Sequence, residues 1–270
     1  MQQLIYWYRK YIPVVIRKNI KNIIFFIKSL SSGYKYSYFQ ESIRGFARNA
    51  RLSYIATLDD DPGTANKDLV NFSINWIKYA NENEITVKET SKPGSQFLNQ
   101  FPGEHYRLLS ALCAIEKPKL IIDIGTYTGM SSRVFLDYAP TSKVITYDLI
   151  NWKEFDTYLD DEDFSSGRIE QHLVDLTLED NFSKHKKDFI NCDLIFLDAP
   201  KDAIFEEKLL SILSNLSFTN KKRFLLVDDI RYHEMFKFWR SINSPKLDMT
   251  TFGSWCGTGV VDISKGIDLK

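Results

Sequence analysis

From residue 101 onward the chain alternates short apolar runs with segments of helical period, and this alternation limits the folds open to it more than any other feature. "KLIIDIG", "KVITYDL", "RIEQHLVDL", "CDLIFLD" and "RFLLVDD" read as strands. "MSSRVFLDYAP" and "IFEEKLLSILSNL" read as helices between them; "EHYRLLSALCAIEKP", halted by Pro118, precedes the first strand and "HEMFKFWRSI" follows the fifth. Strands alternating with helices imply parallel neighbours in a sheet covered on both faces. "LDMTTF" and "GTGVVDI" predict an antiparallel pair at the end. The expected class is α/β: a doubly wound, mostly parallel seven-stranded sheet with an antiparallel C-terminal hairpin.

Three divisions follow: a basic amphipathic arm over 1–34, a helical cap over 35–100 and the α/β body over 101–270. In the arm, Ile16, Ile20, Ile23, Ile27 and Leu30 share one helical face and Arg17, Lys18, Lys21 and Lys28 lie opposite, with Phe25 as the exception. The first acidic residue is Glu41; Arg9, Lys10, Arg17, Lys18, Lys21, Lys28 and Lys35 precede it, so a chain of zero formal charge joins a basic arm to an acidic body. With Tyr6, Trp7, Tyr8 and Tyr11 at its edge, such a helix suits a membrane interface, packing on its own domain or across a homodimer, or a polyanion. Segment 41–100 reads as two or three short helices with turns at "DDDPGT" and "SKPGS". No apolar run approaches the roughly 18 residues of a membrane span. Charges interrupt every apolar segment, so no secretory signal is expected. Cys113, Cys192 and Cys256 are too scattered for a disulfide framework or a zinc site. The expected location is cytoplasmic, peripheral on the inner membrane face through the arm.

"LIIDIGTYTGMSSR" carries the first chemical signal. In a doubly wound sheet, ligands sit beyond the carboxyl ends of the strands. Gly125 closes the first strand, where a missing Cβ permits a sharp turn against a ligand, and Gly129 opens the next helix. A dinucleotide fingerprint would need glycine at Tyr127 and Met130, and no Gly-Lys-Ser/Thr follows, so a phosphate loop is disfavoured. The next strand ends in Asp148, 23 residues past Gly125, placed to accept the two hydroxyls of a ribose. The third ends in Asp175, placed to meet an adenine amino group. Nucleoside recognition without a phosphate loop points to adenosylmethionine.

"DIGTYTG" with "YDL" resembles motif I and its successor in the class I, Rossmann-like adenosylmethionine-dependent methyltransferases. The resemblance implies a cofactor site at Asp123, Gly125, Thr126, Tyr127, Gly129, Ser131, Asp148 and Asp175.

Asp198 ends the fourth strand in "CDLIFLDAPKD"; Asp228 and Asp229 end the fifth in "RFLLVDDIR". The 30 residues from Asp198 to Asp228 make one strand-helix-strand unit, so the three carboxylates should stand side by side. Without a cation they would repel, and oxygen donors match Mg²⁺ or Ca²⁺ rather than zinc. This segment is similar to the catechol and caffeoyl-CoA type O-methyltransferases over roughly residues 100–265. There an Asp after strand four and an Asp-Asn pair after strand five bind the metal, and a Lys three residues past the first Asp assists the chemistry. Asp198, Asp228 and Lys201 match that pattern; Asp229 departs from it, standing where the family usually has Asn.

Methyl transfer is an in-line displacement governed by positioning, and a divalent ion on an acceptor hydroxyl would lower its pKa. Lys201 would then take the proton, provided that burial beside the metal depresses its own pKa; His233 is the rival base. His105 heads a helix and reads as structural; His172 alternates within a strand, His185 sits in a Lys-rich loop, and "DDED" at 160–163 is a solvated loop. Trp255, in "GSWCGTGVV", is placed either to stack on substrate or to pack its turn.

These readings converge on an adenosylmethionine-dependent, Mg²⁺-dependent O-methyltransferase acting on a small molecule or a sugar, with a membrane-associated saccharide favoured by the arm. The alternatives are a metal-independent methyltransferase of the same fold, and a catalytically silent scaffold at a membrane. Nucleic acid is disfavoured, because the body is acidic where phosphate binding needs a basic face.

Overall fold

A computed structural model describes residues 65–88, 91–92, 94–100, 103, 105–218, 221–232, 234–250 and 256–270. The amphipathic arm, the linker, His233 and Trp255 lie outside the described residues.

The first described helix, α1 (Lys67–Glu82), starts where the Asn66 side chain accepts the Leu69 N–H at 2.7 Å. Leu69, Ser73, Trp76 and Ala80 form its buried stripe, with Trp76 edge-on to Phe224 at 5.0 Å. At 16 residues α1 is longer than the short helices expected for 41–100, of which a single 3₁₀ turn at Ser95–Leu98 is the other described piece. After α2 (His105–Glu116) the chain alternates as β1 (Leu120–Ile124), α3 (Met130–Tyr138), β2 (Lys143–Asp148), α4 (Asp161–Ser165), β3 (Ile169–Leu173), α5 (Glu179–Asn191), β4 (Leu194–Leu197), α6 (Ile204–Ser214), β5 (Phe224–Asp228), α7 (Met235–Ser241), β6 (Lys246–Asp248) and β7 (Thr258–Asp262).

The seven strands lie in the order β3-β2-β1-β4-β5-β7-β6. β1 pairs in parallel with both β2 and β4, β4 with β5, and β2 with β3. β7 runs antiparallel between β5 and β6. The expected doubly wound sheet with a C-terminal hairpin is therefore present.

Alternate residues of each strand feed two cores, as the two-residue period of a strand requires. Ile121, Val144, Leu194, Phe196, Leu226 and Val260 pack on one face beneath α1, α2 and α3. Ile122, Ile145, Ile195, Leu197, Leu225 and Val261 pack on the other beneath α5, α6 and α7. α1 thus belongs to the same core as the α/β body. Because both faces of the central strands are covered, β1, β4 and β5 read as nearly unbroken apolar runs, whereas the edge strand β3 keeps polar side chains.

Two local readings are corrected. "DDED" is the start of α4: Asp160 accepts the Asp163 N–H at 2.9 Å and Asp163 accepts the Asp160 N–H at 3.0 Å, a reciprocal cap. Asp163 is buried and accepts two hydrogen bonds from Arg133, at 2.8 and 2.9 Å; the acidic run looks solvated only while its basic partner, 30 residues upstream, is unseen. His185 lies in α5, not a loop, because Phe182 and Phe189 give that Lys-rich segment an apolar stripe for the sheet. Among the described residues no helix is long and apolar enough to cross a membrane.

Candidate active site

The sheet changes winding direction between β1 and β4, and the two chemical segments meet there. Ile124 pairs with Leu197, so Gly125 and Asp198 are the first residues beyond adjacent strand ends. The Asp198 N–H donates to the Ile124 carbonyl at 2.9 Å. Gly125 has a φ of +105°, and a Cβ on it would lie 2.0 Å from the Asp198 carbonyl oxygen. Only glycine fits between these backbones.

The remaining motif residues hold this loop. Asp123 is fully buried and accepts from the Ser131 hydroxyl at 2.8 Å and the Ser132 hydroxyl at 2.5 Å, tying β1 to the first turn of α3. Its Oδ1 has no hydrogen-bond partner among the described residues. Burial lifts the Asp123 carboxyl to about 7, against the pull of the two serine hydroxyls. The Thr126 hydroxyl lies 2.7 Å from that of Thr146, and the Gln171 side chain donates to it at 3.0 Å. Gly129, with a φ of +77°, precedes α3, and a Cβ there would press into Leu159. Ser132 and Gln171 were not singled out in the sequence; Ser132 is signalled only by adjacency to Ser131, and Gln171 by nothing local.

Asp148 faces the same crevice from β2. Its Oδ2 accepts the Tyr127 N–H at 3.0 Å, and its Oδ1 accepts the Leu149 and Ile150 N–H groups at 2.6 and 3.0 Å. These bonds fix the carboxylate and leave about one of its four acceptor positions open. Tyr127, 64% exposed, stands edge-on to Phe155 at 4.9 Å, an apolar wall suited to a flat ring. Asp175 accepts both the N–H and the hydroxyl of Thr177 on Oδ1, so part of its capacity serves its own turn.

On the other side of the switch, Asp198, Asp228 and Asp229 bring one carboxylate oxygen each within 4.8 Å of one another. β5 supplies Asp228, whose Oδ1 accepts from the Thr258 hydroxyl of β7 at 2.9 Å. Asp229 turns out of the strand with a φ of +56°, a conformation that Asp and Asn tolerate better than other side chains. Three hard oxygen donors at this spacing fit a divalent ion such as Mg²⁺. Burial pushes the Asp198 carboxyl up, the Lys201 ammonium opposes this, and the charge of Asp228 adds to it.

Lys201 occupies the centre of this cluster. Its Nζ lies 2.9 Å from Asp198 and 3.6 Å from Asp228, and is also paired with Asp229. A base role for Lys201 depends on burial lowering its pKa, and the carboxylates around it act against that. Burial does push the group down, but attraction from Asp198, Asp228 and Asp229 outweighs it, and the side chain is held as an ammonium. The repulsion expected among the carboxylates is relieved by this internal cation. His105 is buried against Tyr106, and neither ring nitrogen has a hydrogen-bond partner among the described residues.

No family model matches the chain, and no curated protein matches its sequence. Among solved structures it is similar to a putative caffeoyl-CoA O-methyltransferase from Staphylococcus aureus, at 16% identity and a TM-score of 0.44, over 74% of this chain and 99% of that one. A Podospora anserina methyltransferase bound to S-adenosylhomocysteine matches at 16% identity and a TM-score of 0.43, over 76% and 97%. An O-methyltransferase from Streptomyces achromogenes, involved in tomaymycin synthesis and complexed with adenosylmethionine, matches at 14% identity and a TM-score of 0.40, over 82% and 98%.

Proposed function

We propose that the protein is an adenosylmethionine-dependent O-methyltransferase that uses a hard divalent cation and acts on a hydroxyl of a small molecule or sugar. One observation carries the reading: the glycine loop and the acidic cluster share a backbone contact, Gly125 against Asp198. A methyl donor in the loop and a hydroxyl at the cluster would therefore be neighbours, as in-line transfer requires.

Asp148 would hold the ribose through its remaining acceptor capacity, and Asp175 the adenine. Asp123, through Ser131 and Ser132, keeps Thr126, Tyr127 and Gly129 in a fixed loop around the donor. Asp198, Asp228 and Asp229 would hold Mg²⁺, which would supply Lewis acidity to lower the hydroxyl pKa. As an ammonium, Lys201 donates to the acceptor oxygen and stabilises its developing negative charge. The hydroxyl proton passes to solvent as the oxygen forms its bond to the methyl carbon and the sulfur–carbon bond breaks, giving a methyl ether and S-adenosylhomocysteine. His233, the rival base, lies outside the described residues. The amphipathic arm over 1–34 favours an acceptor at a membrane surface, such as a lipid-linked saccharide.

The position of Lys201 favours a second reading, in which its ammonium is the only cation of the site and no metal is needed. Calorimetric titration with S-adenosylhomocysteine, followed by Mg²⁺, separates the two. Micromolar nucleoside binding and Mg²⁺ uptake that is lost in Asp228→Asn support the metal enzyme. Nucleoside binding without Mg²⁺ uptake supports the Lys201 reading, and binding of neither supports a silent scaffold.

A further inference from the structure

The segment joining β4 to α6 is strained where Lys201 must be aimed. Lys201 and Ala203 both have left-handed backbones, with φ of +63° and +62°, and neither is glycine. Such residues persist only where their surroundings over-determine them. One side chain does this from below. Glu206, in the first turn of α6, is completely buried, and its Oε1 accepts the Lys201 N–H at 2.9 Å. Its other oxygen has no hydrogen-bond partner among the described residues.

A buried carboxylate is costly unless it has a task. Asp202 caps α6 from outside, accepting the Ile204 and Phe205 N–H groups at 2.9 Å each, while Glu206 serves the backbone just before the helix from within. Burial pushes the Glu206 carboxyl up, and backbone N–H groups of the same turn oppose this, so the group stays in place by its backbone bonds.

We infer that Glu206 is a positioning residue for methyl transfer: its carboxylate holds the left-handed Lys201 backbone so that the ammonium reaches Asp198, Asp228 and Asp229. This rests on the methyltransferase reading for its purpose, though not for its geometry. Glutamine keeps an acceptor oxygen for the Lys201 N–H, whereas leucine fills the space without one.

The test compares Glu206→Gln and Glu206→Leu in the full chain, with lysines carrying ¹³C-methyl groups from reductive methylation and Lys201→Arg used to assign the Lys201 signal. In the wild type that signal should stand apart from those of exposed lysines. Glu206→Gln should keep it there, and Glu206→Leu should return it to the exposed-lysine position. With turnover as a second readout, Glu206→Leu should lower kcat at least tenfold with KM for adenosylmethionine unchanged, and Glu206→Gln should recover to within about threefold of wild type. An unmoved Lys201 signal in Glu206→Leu, or a glutamine variant as impaired as leucine, overturns the inference. If Glu206→Leu does not fold, hydrogen exchange of the wild-type Lys201 amide decides: protection matching the strand amides supports the hook, and exchange at loop rates refutes it. Failure of the wild type to bind S-adenosylhomocysteine would remove the methyltransferase reading, while the lysine signals would still judge the role of Glu206.

Discussion

Replacing Asp123 with asparagine should remove a pH dependence that this one buried carboxyl imposes on stability. The group is completely buried, and one of its oxygens has no hydrogen-bond partner among the described residues. Burial lifts it from an ordinary 3.8 to about 7, although the Ser132 and Ser131 hydroxyls favour the ionised form and the charges of Asp198 and Asp148 oppose it. Between those two values the folded chain holds a proton that the unfolded chain has released. Stability from this group is therefore fully present below about pH 4 and is lost as the pH rises through about 7. At ~1.4 kcal/mol per pH unit the whole effect is about 4 kcal/mol, of which about 3 falls between pH 5 and pH 8. Asparagine has the same shape and still offers an oxygen to Ser131 and Ser132, but it does not titrate. Urea unfolding of both proteins across that range isolates the contribution, since every carboxyl not coupled to Asp123 cancels in the difference. The wild type should lose about 3 kcal/mol relative to Asp123→Asn on going from pH 5 to pH 8. A difference constant to within ~0.5 kcal/mol would refute the reasoning and place water or an ionised carboxylate at this position.

Two further outcomes follow from the same geometry. Gly125→Ala sets a Cβ 2.0 Å from the Asp198 carbonyl on a backbone at +105°, so the strand ends must separate; calorimetry should show S-adenosylhomocysteine affinity reduced at least 100-fold, and unchanged affinity would dissociate the loop from the ligand. Asp163→Ala leaves the buried Arg133 guanidinium with only Asp137 as ion-pair partner, 2.6 Å away, and should cost about 3 kcal/mol in urea unfolding; a loss below ~1 kcal/mol would show that Asp137 alone suffices.

Strand order, and the helices of the body other than α4 and α5, were legible because the central strands are buried on both faces and the longer helices carry clear apolar positions. Gly125, Gly129, Asp148 and the three carboxylates were legible because their roles depend on strand ends, and strand ends can be counted in the chain. Arg133–Asp163 and Glu206–Lys201 were not legible. A buried charge and a surface charge have the same letter, and the partner is fixed by packing rather than by spacing. The acidic run at 160–163 shows this most plainly: one of its members is a buried ion-pair partner, and the cap that it forms starts a helix.

By itself the sequence determined the α/β class, the hairpin and the edge of the sheet at which Gly125, Asp148 and the three carboxylates gather, since local periodicity and connection rules suffice for those. The surroundings that keep Lys201 charged were decided mainly by the tertiary structure. Asp198 is its neighbour in the chain, but Asp228 and Asp229, which add to the attraction, come from the end of the next strand. Coulombic attraction depends on distance in space, and only folding sets that distance.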